Sequence, residues 1–518
     1  MAERREGESF PGEWLETDGL GGYALATPSG LLTRRYHGLL VAATDPPAGR
    51  SVLLSKLEES LLVDGKRFDL AVDRYGETFH PKGDDYLVAF SRSPFPTVEY
   101  EVDGAHLVRT VALVAGETTL VVTYELHGSP SGPVMLEVRP LVAFRDHHAL
   151  SHEDARFKGG VTIHEGSAVV RAKGPFPELT FAHDASSTDP AHFWYRGFTY
   201  ETERSRGFDH TEDLFAPFTL TFDLGKTRTA RLVVSTAGRT VTEAVDLLKG
   251  EAERRASVAI GNTEESARGL LQKLRKAADQ FLVTRRDGYT VIAGYPWFTD
   301  WGRDTMISLP GLTLATGRLD VAKAVLTTFA YHVDRGMIPN RFPDKGQEPE
   351  YNTVDGTLWF IQGVRAYLDA TDDRPFAEEM YPLLLSIVEE HIRGTRFGIH
   401  ADDDGLLVSG QEGVQLTWMD AKVGDHVVTP RRGKPVEIQA LWYSGLRFLA
   451  ELAGDVGDKF QRRRLLSITD KAWTAFGKAF WNDEASCLVD CVDEDGKVDT
   501  SIRPNQLFAL ALPYPLVG

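Results

Sequence analysis

A chain of 518 residues exceeds what one hydrophobic core usually serves, so two domains are expected, each with a core of its own. The composition, 42% apolar and 25% charged, excludes disordered, fibrous and membrane-embedded classes. A balance of 57 basic against 75 acidic residues gives a formal charge of -18, which repels phosphate backbones and anionic lipid and argues against nucleic-acid and membrane partners.

The N-terminus, MAERREGESF, lacks the apolar stretch of a signal peptide. No apolar run reaches the roughly 18 residues of a transmembrane helix. Cys487 and Cys491, beside the turn-like DEDGK, sit too far apart on an extended strand to bridge and read as reduced thiols. A cytoplasmic location is the expectation.

Residues 1–255 read as β. Apolar runs such as SVLLSKLEESLLVDG, HLVRTVALVAGETTLVVTYEL and PVMLEVRPLVAF alternate with turn clusters at Asp64-Gly65, Asp103-Gly104 and Ser129-Pro130-Ser131-Gly132. Many strands joined by short turns favour an antiparallel sandwich. GLGGY at 19–23 lacks the lysine and spacing of a phosphate loop, and the histidines of RDHHALSHED lack metal-ligand spacing. The TVTEAVDLLKGEAERRASVAIG stretch turns helical and links to the second part, 256–518. There the helical period predicts segments from about 264 and near 303–316, 319–335, 354–370, 374–394, 435–453, 459–480 and 503–512. The long loops 336–353 and 396–434 hold dense aromatic and carboxylate clusters, a pattern usual for functional loops.

Three constellations could carry chemistry. In YPWFTDWGRD, Trp297, Asp300, Trp301, Arg303 and Asp304 combine aromatic faces for sugar CH groups with carboxylates and a guanidinium for hydroxyls. If that segment is helical, Asp300 shares a face with Asp304 and Trp297 with Trp301. The second, 338–360, offers Asn340, Arg341, Tyr351, Asn352, Asp355 and Trp359. The third, 413–442, places Asp420 beside Trp418 and Met419, with Glu437 on the helix that follows. A carboxyl desolvated beside aromatics stays protonated near neutral pH, as a general acid must. With neither HExxH nor a CxxC pair, no metal or cofactor is called for.

These blocks resemble the bacterial and archaeal glycogen-debranching (amylo-α-1,6-glucosidase) family nearly end to end. The matching stretches are DGLGGYALATPSGLLTRRYHGLLVA, RPLVAFRDHHAL, WFTDWGRDTMISLPGL, NTVDGTLWF, GVQLTWMDAKVGDHVVTPRRGKPVEIQALWY and IRPNQLFALALPYPL. The resemblance implies a β-sandwich domain followed by an (α/α)6 barrel, and hydrolysis, with inversion, of α-1,6-linked glucose at branch points of glycogen, limit dextrin or maltodextrin. It assigns Asp420 as general acid and Trp301, Arg303 and Asp304 as glucose-holding. Asn352, Asp355, Trp418, Lys434 and Glu437 then line the pocket. His426, Gln439, Ser444 and Asp18 depart from the family pattern. About eight of twelve barrel helices are counted, which reads as a catalytic domain incomplete at its C-terminus with the general base beyond residue 518. Two rivals fit the same residues. One is an inverting disaccharide phosphorylase with an anion site at Arg431, Arg432 and Lys434. The other is a non-catalytic glucan-binding protein; a trehalase-like barrel is a weaker third.

Overall fold

Alternation shapes the first part of the chain. Along Ala105–Leu113, Ala105, Leu107, Arg109 and Val111 are buried while His106, Val108 and Thr110 are only half-buried, the pattern of a strand with one face on a core. The computed structural model describes residues 2–3, 10, 12–259, 268–286, 288–342 and 348–517. The chain divides into two units, Met1–Asp287 with Gly294–Thr299, and Gly288–Ala293 with Asp300–Gly518.

In the first unit, among the described residues, one antiparallel sheet of nine strands has its middle at Ala105–Leu113, Thr119–Gly128 and Thr229–Ser235. A second, of ten strands, is built around Ala48–Val63, Val134–Asp146 and Thr211–Asp223. Leu54, Leu61, Leu136 and Leu220 of one sheet share a single core with Leu107, Val122, Phe181 and Leu232 of the other. Glu59 crosses that core. It accepts hydrogen bonds from Arg109 Nη1 and from the Tyr124 hydroxyl, both at 2.6 Å, so its buried charge is paired.

The glycine-rich 19–23 stretch serves packing. A Cβ on Gly21, which has φ +97°, would lie 2.4 Å from the Pro47 carbonyl oxygen. The helices Ala244–Ala259 and Arg268–Phe281 also belong to this unit. Arg254 pairs with Asp279, Arg255 with Glu16, and the Gln280 amide donates to the Leu15 carbonyl. The division therefore falls some thirty residues later than the expected 255/256, because both helices are tied to the β unit. Residues 264–267 of the expected first helix lie outside the described residues.

The second unit is helical. Its elements, Gly302–Leu309, Leu319–Tyr331, Asp355–Thr371, Arg374–Arg393, Val436–Asp455, Lys459–Phe480 and Phe508–Ala511, lie close to the segments expected from the period. Asp373 and Asp458 cap two of them, accepting from the Phe376 and Gln461 amides. Val436–Asp455 is apolar on nearly every side and buried, as a central helix must be. It packs on Asp355–Thr371, Arg374–Arg393 and Lys459–Phe480. The described part of the 336–353 stretch carries isolated β-bridges, and the 396–434 stretch a single 3-10 turn, Arg396–Gly398, and two-residue strands such as His400–Ala401 and Lys422–Val423. Among the described residues, no helix is long and apolar enough to cross a membrane.

Candidate active site

Gly302 sets the start of the helix that delivers Arg303. Its N–H donates to the Asn340 carbonyl at 2.8 Å. A Cβ there would lie 2.1 Å from the Pro339 carbonyl oxygen, so only glycine allows this approach. The helix begins at Gly302, and Phe298–Asp300 is extended. The expected helical pairing of Asp300 with Asp304, and of Trp297 with Trp301, is therefore corrected.

Arg303 gathers three remote segments. Its Nε donates to Asp355 Oδ1 at 2.8 Å and its Nη1 to Asp420 Oδ2 at 3.1 Å. Its Nη2 reaches Thr353 Oγ1 at 3.5 Å and the Leu416 carbonyl at 3.4 Å. Burial acts against the Arg303 charge, but Asp355 and then Asp420 outweigh it, and its pKa is raised. Thr353 Oγ1 donates to the same Asp355 oxygen at 2.7 Å and caps the next helix through the Gly356 amide. Asp304 is adjacent. Although its side chain reaches the surface, the protein around it raises its carboxyl pKa, and the Asp355 and Asp420 charges add to the effect against Arg303.

The remaining predicted residues divide. Asp300 is fully buried and accepts from the Thr290 hydroxyl, so it supports the fold rather than an open pocket. Trp301 and Arg341 form an isolated β-bridge, and Arg341 pairs with Glu350 at 3.6 Å. Asn340 and Asn352 each bury a side-chain oxygen without a protein donor among the described residues. Tyr351 donates to the His332 carbonyl and lies under the Arg396 guanidinium. Trp359 packs edge-on against Phe508 at 5.6 Å. Trp297 belongs to the first unit, where it sits beside Tyr36 and under Arg34.

Asp420 is not shielded as its neighbours had suggested. Its side chain is 46% exposed, and Trp418 is 46% exposed as well. The apolar neighbours along the chain do not cover it because Trp418 turns its N–H inward, to Asn505 Oδ1 at 2.8 Å, and leaves much of its ring at the surface. Glu437 is buried, with both oxygens on Arg431. Burial raises its carboxyl pKa despite that pairing. Lys434 is paired with two carboxylates: Asp402 and Asp404 hold it at 2.7 and 2.8 Å. Arg431 is likewise tied to Glu437 and Asp490, and Arg432 to Glu494. The anion site that a phosphorylase would need from these three cations is thus already neutralised by carboxylates. Gln439 and Ser444 turn to the interior, bonding the Leu407 backbone and Gln362.

Sequence reasoning missed Thr353, Asp490 and Asn505. Asn505 lies in the RPNQ stretch quoted for the resemblance, where no residue stood out because nothing local marks a buried amide. Cys487 and Cys491 carry no disulfide, and burial pushes the Cys491 thiol up to about 12.

A family model described as Amylo-alpha-1,6-glucosidase matches residues 276–518. One described as Glycogen debranching enzyme N terminal matches residues 12–231. The glycogen debranching enzyme of Saccharomyces cerevisiae (strain ATCC 204508 / S288c) is 32% identical over 223 residues, a match covering 32% of this chain and 14% of the yeast protein. A crystal structure of a bacterial glucoamylase complexed with acarbose is similar over 94% of this chain and 73% of that chain, with a TM-score of 0.54 and 12% identity. At that identity the likeness is one of fold.

Proposed function

Because the chain belongs to the glycogen-debranching family, we propose that it is a glycoside hydrolase releasing α-1,6-linked glucose from branched α-glucans such as glycogen, limit dextrin and maltodextrin, with inversion. The observation that carries this reading is the Arg303 fork, which brings Asp355, Thr353 and Asp420 to one place, with the half-exposed Trp418 two residues before Asp420. The glucoamylase likeness supports reading the helical unit as an (α/α)6 barrel, and the two sheets with one core support reading the β unit as a sandwich.

In this proposal the terminal glucose stacks on Trp418, and Arg303 and Asp304 hold its hydroxyls. On binding, the Asp420 carboxyl leaves the Arg303 pair and takes up a proton from solvent; the ring seated on Trp418 then excludes water, and that proton passes to the departing glycosidic oxygen. Water attacks the anomeric carbon from the opposite face, activated by a second carboxylate. The C–O bond to the leaving sugar breaks as the new one forms.

The test incubates the full-length protein, with the second carboxylate present, with a maltotriose bearing an α-1,6-glucosyl branch, with and without phosphate, and reads the product anomer by NMR. β-Glucose appearing at a rate independent of phosphate is expected. Phosphate-dependent glucose 1-phosphate would overturn hydrolysis, and binding without any release would make the chain a glucan-binding protein. Asp420→Asn should slow release by roughly 10²–10⁴-fold while binding persists. Unchanged turnover in that variant removes Asp420 as the acid.

A further inference from the structure

Trp418 reaches the site on a loop, and a half-exposed indole on a loop has no rotamer imposed by packing alone. Its ring is fixed instead by a chain of polar contacts leading inward. The indole Nε1–H donates to Asn505 Oδ1 at 2.8 Å, and Asn505 Nδ2 donates to Asp490 Oδ1 at 2.9 Å. The same Nδ2 lies 3.4 Å from Met419 Sδ. The other Asp490 oxygen accepts from Arg431 Nε at 2.9 Å and Arg503 Nη1 at 2.7 Å. Asn505 and Asp490 are fully buried.

The residue type follows from the two ends of the chain. An indole N–H only donates and a carboxylate only accepts. The side chain between them must therefore present an acceptor to one and a donor to the other. Both partners fix the amide orientation, and leucine or aspartate cannot replace it. Aspartate has the right shape, but it would set a second carboxylate against Asp490.

We propose that Asn505 is a positioning residue that latches the Trp418 indole, and that this latch sets the affinity of the site for its terminal sugar. The proposal rests on the glucan reading above. The network Asp490–Arg431–Glu437 behind Asn505 is the fixed anchor from which the indole is aimed.

The test uses the full chain in the Asp420→Asn background, so that the branched maltotriose of the previous section binds without being consumed. Trp418→Phe keeps the ring face but removes the N–H, and it leaves the buried network untouched. Asn505→Asp and Asn505→Ala break the latch from the other side. Each variant should weaken binding by about tenfold, and the pair Trp418→Phe with Asn505→Ala should lose no more than the worse single change. In 15N-tryptophan-labelled protein, the indole resonance absent from Trp418→Phe should move in Asn505→Ala with the other resonances in place. In the active background the same variants should raise KM more than they lower kcat. A moved resonance with unchanged affinity overturns the role in sugar binding. An unmoved resonance overturns the latch. A parent chain that binds no branched maltotriose fails the glucan reading itself, and this proposal with it.

Discussion

Arg303 Nη1 stands 3.1 Å from Asp420 Oδ2 although 117 residues separate the two along the chain. The guanidinium is buried, and the carboxylate it reaches is half in solvent. On its other edge Arg303 holds Asp355, which is buried. One planar cation with several donors thus binds an interior carboxylate and a surface one in fixed geometry, which a lysine cannot do.

Replacing Arg303 therefore affects stability and function differently. Arg303→Met leaves Asp355 buried without its partner and should cost about 3–5 kcal/mol. Arg303→Lys keeps a charge near Asp355 and costs less; under the proposed function it still loses most glucan binding. Urea unfolding read by far-UV circular dichroism separates the two, and Arg303→Met with wild-type stability would contradict the account.

Gly302→Ala places a Cβ 2.1 Å from the Pro339 carbonyl oxygen, a contact that only backbone movement relieves. A cost of roughly 1–3 kcal/mol is expected, the range for overpacking. Because Arg303 is the next residue, the shift should also lower kcat/KM. A variant with wild-type melting temperature and kcat/KM argues against the close approach.

Asp18 is fully buried, its Oδ1 accepting from the Leu20 amide, and burial raises its carboxyl to about 6. The folded chain thus holds this proton up to about pH 6, whereas the unfolded chain releases it near 3.8. Its contribution to stability is complete below pH 3.8 and is lost as the pH rises through 6. Asp18→Asn removes the titration and should stabilise the first unit at pH 7 by roughly 1–3 kcal/mol relative to its effect at pH 4. Thermal melts of both proteins from pH 4 to 7 give the comparison, and parallel curves would refute it.

His391 has the opposite sign. Its ring stacks on Trp442 at 5.9 Å, Nδ1 lies 2.8 Å from the Ile387 carbonyl, and burial lowers its pKa from 6.5 to about 4. Below pH 6.5 the unfolded chain takes up a proton that the folded chain refuses. Stability in the second unit is then lost as the pH falls toward 4, by up to roughly 1.4 kcal/mol per pH unit. His391→Gln should flatten that slope, and the difference from wild type should shrink steadily between pH 6.5 and 4. A constant difference would refute it.

Much of the fold was legible locally. The Val436–Asp455 helix is announced by apolar residues on nearly every side, and the strands of the first unit by alternation between turn clusters. The boundary near 255 was misplaced because a change of period marks where helices start, while the side to which Arg255 and Gln280 attach depends on partners some 240–265 residues away. At the site, Arg303, Asp355 and Asp420 were named from residue type, and they do meet. Asp300 and Lys434 were named by the same reasoning and are held elsewhere, by Thr290 and by Asp402 with Asp404.

The sequence by itself determined the β and helical halves, the family blocks and the chemical types gathered for a sugar, since periodicity and motif are properties of neighbours along the chain. Only the tertiary structure decided that Arg303 would join Asp355 to Asp420, that Asp420 would stand half in water, and that Asn505 would hold the Trp418 indole. Burial and charge pairing belong to segments brought together in space, and no local pattern records which distant residue will supply the missing donor.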